Sequence, residues 1–117
     1  MPQLVVLIVE DDAILRLDAA DMVTEAGHVA IEASNADDAI ALLETRPDIT
    51  TVFTDIEMPG TMDGILLAHA VRNRWPPVTV VVASGRIKPG PGELPDNVAF
   101  LAKPYSPQAV HLSLGLS

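Results

Sequence analysis

The sequence predicts an open α/β fold, a parallel sheet with helices on both faces. Two observations carry this. Short aliphatic runs alternate with stretches of helical periodicity along the whole chain, and successive runs stop on polar residues or turn signals. Strands joined in this way by right-handed crossovers all end on one edge of the sheet, so whatever polar groups close them are brought together.

Leu4 to Val9 is a continuous aliphatic run of the kind a strand buried on both faces shows, and it ends in Glu10-Asp11-Asp12. From Ala13 the pattern is helical, with Leu15, Ala19, Met22, Val23 and Ala26 on one stripe and Gly27 as a stop. His28 to Ala33 reads as a second strand. Ser34 and Asn35 are caps for a helix that carries Asp37 and Asp38 in its first turn, places Ala36, Ile40 and Leu43 on one face, and ends before Pro47. Asp48 to Asp55 reads as the third strand, cut off by the turn around Met58-Pro59-Gly60. Asp63-Gly64 opens a third helix with Leu66, Leu67, Ala70 and Val71 inward, closed by Trp75-Pro76-Pro77. Val78 to Ala83 is a fourth aliphatic run, ending at Ser84-Gly85. Arg86 to Asn97 contains Pro89, Gly90, Pro91, Gly92 and Pro95, so a loop is expected where the alternation asks for a helix. Val98 to Ala102 is the fifth strand, stopping at Lys103-Pro104. Ser106-Pro107 then caps a short final helix, although Val110, Leu112, Leu114 and Leu116 alternate as a strand would.

Composition limits what such a domain does. At 117 residues the chain is one domain, 1–117, with a single core. No apolar run approaches the roughly 18 residues that span a bilayer, and no signal peptide leads the chain, so a cytoplasmic location is the default. Seven basic and sixteen acidic side chains give a net charge of −9, which disfavours direct contact with nucleic acid or an anionic membrane. Cysteine is absent, which excludes disulfides and thiolate metal sites.

The shared strand edge gathers Glu10 and Asp11 after the first strand, Asp55 after the third, Ser84 after the fourth and Lys103 after the fifth. Open α/β sheets bind their ligands at this edge. Two carboxylates 4 Å apart repel by about 4 kcal/mol at an effective dielectric near 20, so such a cluster calls for a cation. Magnesium suits hard oxygen ligands together with a phosphate, and Lys103 supplies a second positive charge. The set fits phosphoryl transfer to a carboxylate nucleophile. Taken singly, each piece has a plainer reading: Glu10-Asp11 as helix N-terminal charge, Ser84-Gly85 and Lys103-Pro104 as turns. His28, His69 and His111 lack metal-ligand spacing. Arg72, Arg74 and Arg86 read as solvated, Trp75 as packing at a helix end, and Met22, Met58 and Met62 as packing residues.

Leu7-Ile8-Val9-Glu10-Asp11-Asp12, Thr54-Asp55-Ile56-Glu57-Met58-Pro59 with Asp63-Gly64, Val82-Ala83-Ser84-Gly85 and Phe100-Leu101-Ala102-Lys103-Pro104 together resemble the receiver domain of bacterial response regulators, the signalling half of two-component systems. The resemblance runs from Leu4 to about Pro107. It implies a flavodoxin-like, doubly wound five-stranded parallel sheet, here with the fourth helix shortened or replaced by the Pro/Gly-rich loop. It implies that Asp55 is the phosphoacceptor, taking a phosphoryl group from a histidine kinase or histidine phosphotransfer protein. Asp11 resembles the direct magnesium ligand, with Glu10 acting largely through water and the Glu57 main-chain carbonyl completing the protein ligands. Ser84 resembles the switch hydroxyl, Phe100 the switch aromatic and Lys103 the phosphate-binding lysine, followed by a cis peptide to Pro104.

Three departures stand out. Asp63-Gly64 lies one residue further from Asp55 than the commonest family pattern, with Thr61 as the apparent insertion; Phe100 lacks the hydroxyl of a tyrosine; and the Pro/Gly segment replaces the helix through which many relatives dimerise or signal. With no output domain expected, the chain reads as a stand-alone receiver that signals to a downstream protein by contact or acts as a phosphate sink, or as a receiver cut from a longer protein such as a hybrid kinase. It is expected to be no enzyme beyond supporting its own phosphorylation and dephosphorylation. Two alternatives are a haloacid-dehalogenase-type phosphatase, which needs an aspartate where Glu57 stands, and a partner-binding pseudo-receiver, which would be expected to lack part of the acidic cluster.

Overall fold

Alternation of buried and helical segments produces nine elements in a computed structural model that describes residues 3–58, 60, 62–86, 88–90 and 92–115. The strands are β1 (Val5–Val9), β2 (Val29–Ala33), β3 (Thr51–Asp55), β4 (Thr79–Ser84) and β5 (Val98–Ala102). The helices are α1 (Ala13–Glu25), α2 (Ala36–Thr45), α3 (Gly64–Arg74) and α4 (Pro107–Gly115). Pro59, Thr61, Pro91 and Leu116, named above, lie outside the described residues, as does Ile87.

The sheet is wholly parallel, in the order β2-β1-β3-β4-β5. The order in which strands are added reverses between β1 and β3, which leaves a crevice beyond their carboxyl ends. β1 and β3 are covered on both faces, which is why they read as unbroken apolar runs. On one face Leu7, Val9, Val52, Val80 and Val82 pack against Ala36, Ala39 and Leu43 of α2 and Leu67, Ala68 and Val71 of α3. On the other, Val6, Ile8, Phe53, Val81 and Ala83 pack against Ala19, Ala20 and Val23 of α1 and Val110 and Leu114 of α4.

Local chemistry sets the helix ends. Asp12 caps α1, its carboxylate accepting from the amides of Ile14 and Leu15 at 2.9 and 3.1 Å. Asn35 caps α2 through the Asp38 amide, and Asp63 caps α3 through the Leu66 amide. Gly27 ends α1 at φ 90°, a left-handed conformation that glycine adopts without a Cβ penalty. The final segment is helical, with Ser106 Oγ accepting from the Ala109 amide. Val110 and Leu114, four residues apart, are buried while Leu112 is exposed, so the alternating leucines follow helical spacing.

Three expectations need correction. Leu66 and Leu15 point outward, 54% and 41% exposed, and Ala68 and Ala20 take the inward positions. β3 begins at Thr51, not Asp48. Arg46 and Asp48 close an ion pair at 2.8 Å within the preceding turn, and the buried Ile49 in that turn imitates a strand residue. Arg74 is not simply solvated: it pairs with Glu44 at 2.7 Å and lies over the Trp75 ring at 4.3 Å.

Among the described residues no helix forms between β4 and β5, as the prolines and glycines predict. The segment is nonetheless tied down. Leu94 packs on the core beside Val98 and Phe100, the Glu93 carbonyl meets His69 Nε2 at 2.7 Å, and the Glu93 carboxylate accepts from the Gly90 amide at 2.6 Å. His69 is thus a tether, not an incidental surface residue. Among the described residues no helix is long and apolar enough to cross a membrane.

Candidate phosphoacceptor site

Beyond the carboxyl ends of β1 and β3 the fold brings Glu10, Asp11 and Asp55 together, with one oxygen from each lying within 4.8 Å of the others. Glu10 and Asp55 are buried and Asp11 is exposed at the rim. Lys103 reaches in from the end of β5. Its ammonium stands 2.9 Å from Glu10 Oε1 and 3.2 Å from Asp55 Oδ1. The hydrogen bond is directed at Glu10, and the buried Asp55 Oδ1 accepts none. Glu10 Oε2 accepts from the Asp12 amide at 3.1 Å.

The electrostatics follow from this count. Burial pushes the Asp55 carboxyl above its usual range, and Lys103 offsets only part of the shift. Burial likewise raises Glu10, again with partial relief from Lys103. Burial acts to lower the Lys103 ammonium, but the Glu10 hydrogen bond and the Asp55 charge outweigh it, and the net shift is upward. One ammonium cannot neutralise three carboxylates. The donors are hard oxygens and one of them is buried without a hydrogen bond, so the residues present fit a small divalent cation.

Main-chain geometry behind Asp55 is equally constrained. The Gly64 amide donates to the Ile56 carbonyl at 2.9 Å, and a Cβ on Gly64 would collide with the Asp55 main-chain oxygen and reach 2.7 Å from Ile56 Cα. Gly64 is thus required by close approach, while Asp63 is spent on the helix cap.

The remaining residues singled out in the sequence lie around this cluster in different ways. Ser84 is buried at the end of β4, and its hydroxyl donates to Glu57 Oε1 at 3.1 Å while accepting from the Arg86 amide at 3.2 Å. The Arg86 guanidinium is 4.0 Å from Glu57 Oε2, so Arg86 is exposed but not isolated. Phe100 stands apart, half-buried on the α2 and α3 face of β5. The Lys103–Pro104 peptide is cis.

Two residues near the cluster escaped the sequence reading. Tyr105 packs edge-on against Phe53 with ring centroids 5.4 Å apart, and burial raises its hydroxyl pKa. Arg16 bonds the Glu10 carbonyl and Glu32. Its signal was a cation in the amino-terminal half of α1, where the helix dipole disfavours positive charge unless something else holds it.

A family model for the response regulator receiver domain matches residues 6–114, and the chain belongs to that family. Response regulator FleR of Pseudomonas aeruginosa is 33% identical over 108 residues, which is 90% of this chain and 22% of FleR, so the chain spans about a fifth of that relative. Chemotaxis protein CheY of Thermotoga maritima is 34% identical over 116 residues and is matched over 89% of its length. The crystal structure of a response regulator receiver protein from Sinorhizobium medicae WSM419 superposes with a TM-score of 0.84 at 28% identity, covering 97% of this chain and 93% of that one. The flavodoxin-like receiver fold is that of this family, and the Glu10, Asp11 and Asp55 cluster fits its acidic pocket.

Proposed function

We propose that Asp55 takes a phosphoryl group from a histidine kinase or histidine phosphotransfer protein in a magnesium-dependent reaction, and that the acyl phosphate switches the domain. The observation that carries this is the buried Asp55 Oδ1, without a hydrogen bond, facing two further carboxylates and the Lys103 ammonium. An Asp55 oxygen attacks phosphorus, the phosphorus–nitrogen bond breaks, and its electron pair leaves with the donor imidazole. Lys103 exchanges carboxylate contacts for phosphoryl oxygens as a compact point donor. Asp11, Asp55, the Glu57 main-chain carbonyl and, through water, Glu10 would hold magnesium, which supplies neutralisation of phosphoryl charge when bound. The domain acts on no separate substrate and works in the cytoplasm.

Intact mass after incubation with a small phosphodonor tests the reading. One labile phosphoryl group is expected with magnesium and almost none with chelator. Uptake that ignores magnesium would overturn it.

Switching begins at Ser84. A hydroxyl has a single proton to donate, and here Glu57 receives it, so capture of the phosphoryl group by Ser84 must break that bond. Glu57→Ala removes the competitor. In the phosphorylated variant the equilibrium toward the switched state, followed by NMR at Ser84 and Phe100, is expected to rise roughly tenfold, since a hydrogen bond to a carboxylate is worth about 1.5 kcal/mol. An unchanged equilibrium would mean that Glu57 does not hold Ser84 back.

Partners divide between two surfaces. Exposed Ile14 and Leu17, one turn apart on α1, give the phosphodonor an apolar patch near Asp11. Leu15 instead borders a groove of about 390 Å³ that is also lined by Asp18, Met22, Lys103, Pro104 and Tyr105. The segment between β4 and β5, whose described residues form no helix, follows Ser84 directly and carries the changed surface to a downstream protein.

A further inference from the structure

We infer that Arg16 is a positioning residue for the magnesium site, acting through the main chain of Glu10. The inference rests on the reading of the Glu10, Asp11 and Asp55 cluster as that site. Its basis is geometric: Arg16 Nη1 donates to the Glu10 carbonyl at 2.9 Å, and Arg16 Nε donates to Glu32 Oε1 on β2 at 3.1 Å. The Arg16 side chain is 21% exposed and Glu32 43%, so the guanidinium is held between α1, the end of β1 and the end of β2 rather than lying free on the surface.

The effect on Glu10 is specific. Its amide donates to the Ala33 carbonyl at 3.1 Å, and its own carbonyl is taken by Arg16, so the main chain of Glu10 is gripped on both sides where the chain leaves the sheet. The peptide joining Glu10 to Asp11 is oriented by that grip, and with it the direction in which both carboxylates enter the site. Arginine can do this because its planar fork donates from separate nitrogens to two acceptors at once; lysine, a point charge, cannot bridge them in the same way. Groups that orient metal ligands from behind change metal affinity by about 10 to 100-fold when removed.

Charge and positioning predict opposite signs, which makes the inference testable. Arg16 is a cation near the site, so if it acted by charge alone, Arg16→Ala would bind magnesium more tightly and Arg16→Lys would be unchanged. If it positions Glu10 and Asp11, both variants bind magnesium more weakly, by about tenfold, with the thermal midpoint measured alongside in chelator. Calorimetric magnesium titration of the whole chain reads this without any phosphorylation step. Arg16→Lys keeps the charge and loses only the fork, so it carries the test should Arg16→Ala fail to fold. Wild-type affinity in Arg16→Lys, or tighter binding in Arg16→Ala, would overturn the inference. Failure of the wild-type chain to bind magnesium would instead remove the functional reading on which it rests.

Discussion

Asp55→Asn is expected to abolish phosphoryl uptake and, in magnesium-free buffer at neutral pH, to make the domain more stable by about 1 kcal/mol, what repulsion between two charges about 4 Å apart costs even at the dielectric of water. The amide keeps the shape of the side chain and removes a charge that Glu10 and Asp11 oppose, while Lys103 keeps Glu10 at 2.9 Å. The pH dependence has a definite sign. Asp55 and Glu10 both have folded-state pKa values raised above the usual carboxylate range, chiefly by burial, so between the ordinary and the raised values the folded protein binds more protons than the unfolded one. These two groups therefore add stability as pH falls from neutral through the raised values, and the gain levels off below the ordinary carboxylate range. In Asp55→Asn that gain is smaller. Lys103 works on the alkaline side: its raised pKa gives stability present below the ordinary lysine value and lost as pH rises through the folded one. Chemical denaturation in chelator across pH reads both limbs. Equal stability of wild type and Asp55→Asn at neutral pH, with identical acid profiles, would mean that the cluster is not strained.

Gly64→Ala is expected to cost about 2 kcal/mol and to impair phosphoryl uptake together with stability. Alanine is ordinarily the better helix former, so propensity alone predicts a gain. Here the added Cβ meets the Asp55 main-chain oxygen and Ile56 Cα, backbone atoms that cannot swing aside as a side chain would. Overpacking of that kind costs about 1 to 3 kcal/mol and moves backbone, and the backbone it moves carries the phosphoacceptor. Thermal unfolding with an uptake assay on the same preparation checks the pairing of effects. A stabilised Gly64→Ala protein would show that α3 shifts freely away from the end of β3.

The sequence made the sheet readable because β1 and β3 are buried on both faces, which writes them as aliphatic runs such as Val5–Val9. The site was readable for a related reason: parallel strands share an exit edge, so Glu10, Asp11, Asp55 and Lys103 had to meet once the strands were placed. Helix faces were less legible. In α1 the apolar residues Ile14, Leu15 and Leu17 face outward while alanines Ala19 and Ala20 are buried, so hydrophobicity did not mark the inward side. Contacts made by side chains across elements, such as Arg16 to Glu10, His69 to Glu93 and Ser84 to Glu57, depend on orientation that no spacing encodes.

The site of modification tests the central claim most directly. Phosphorylated protein, reduced with borohydride to convert an aspartyl phosphate into homoserine and then digested, is expected to carry homoserine at position 55 and nowhere else. Homoserine at another aspartate, or phosphate that survives on a serine, threonine or histidine, would contradict it.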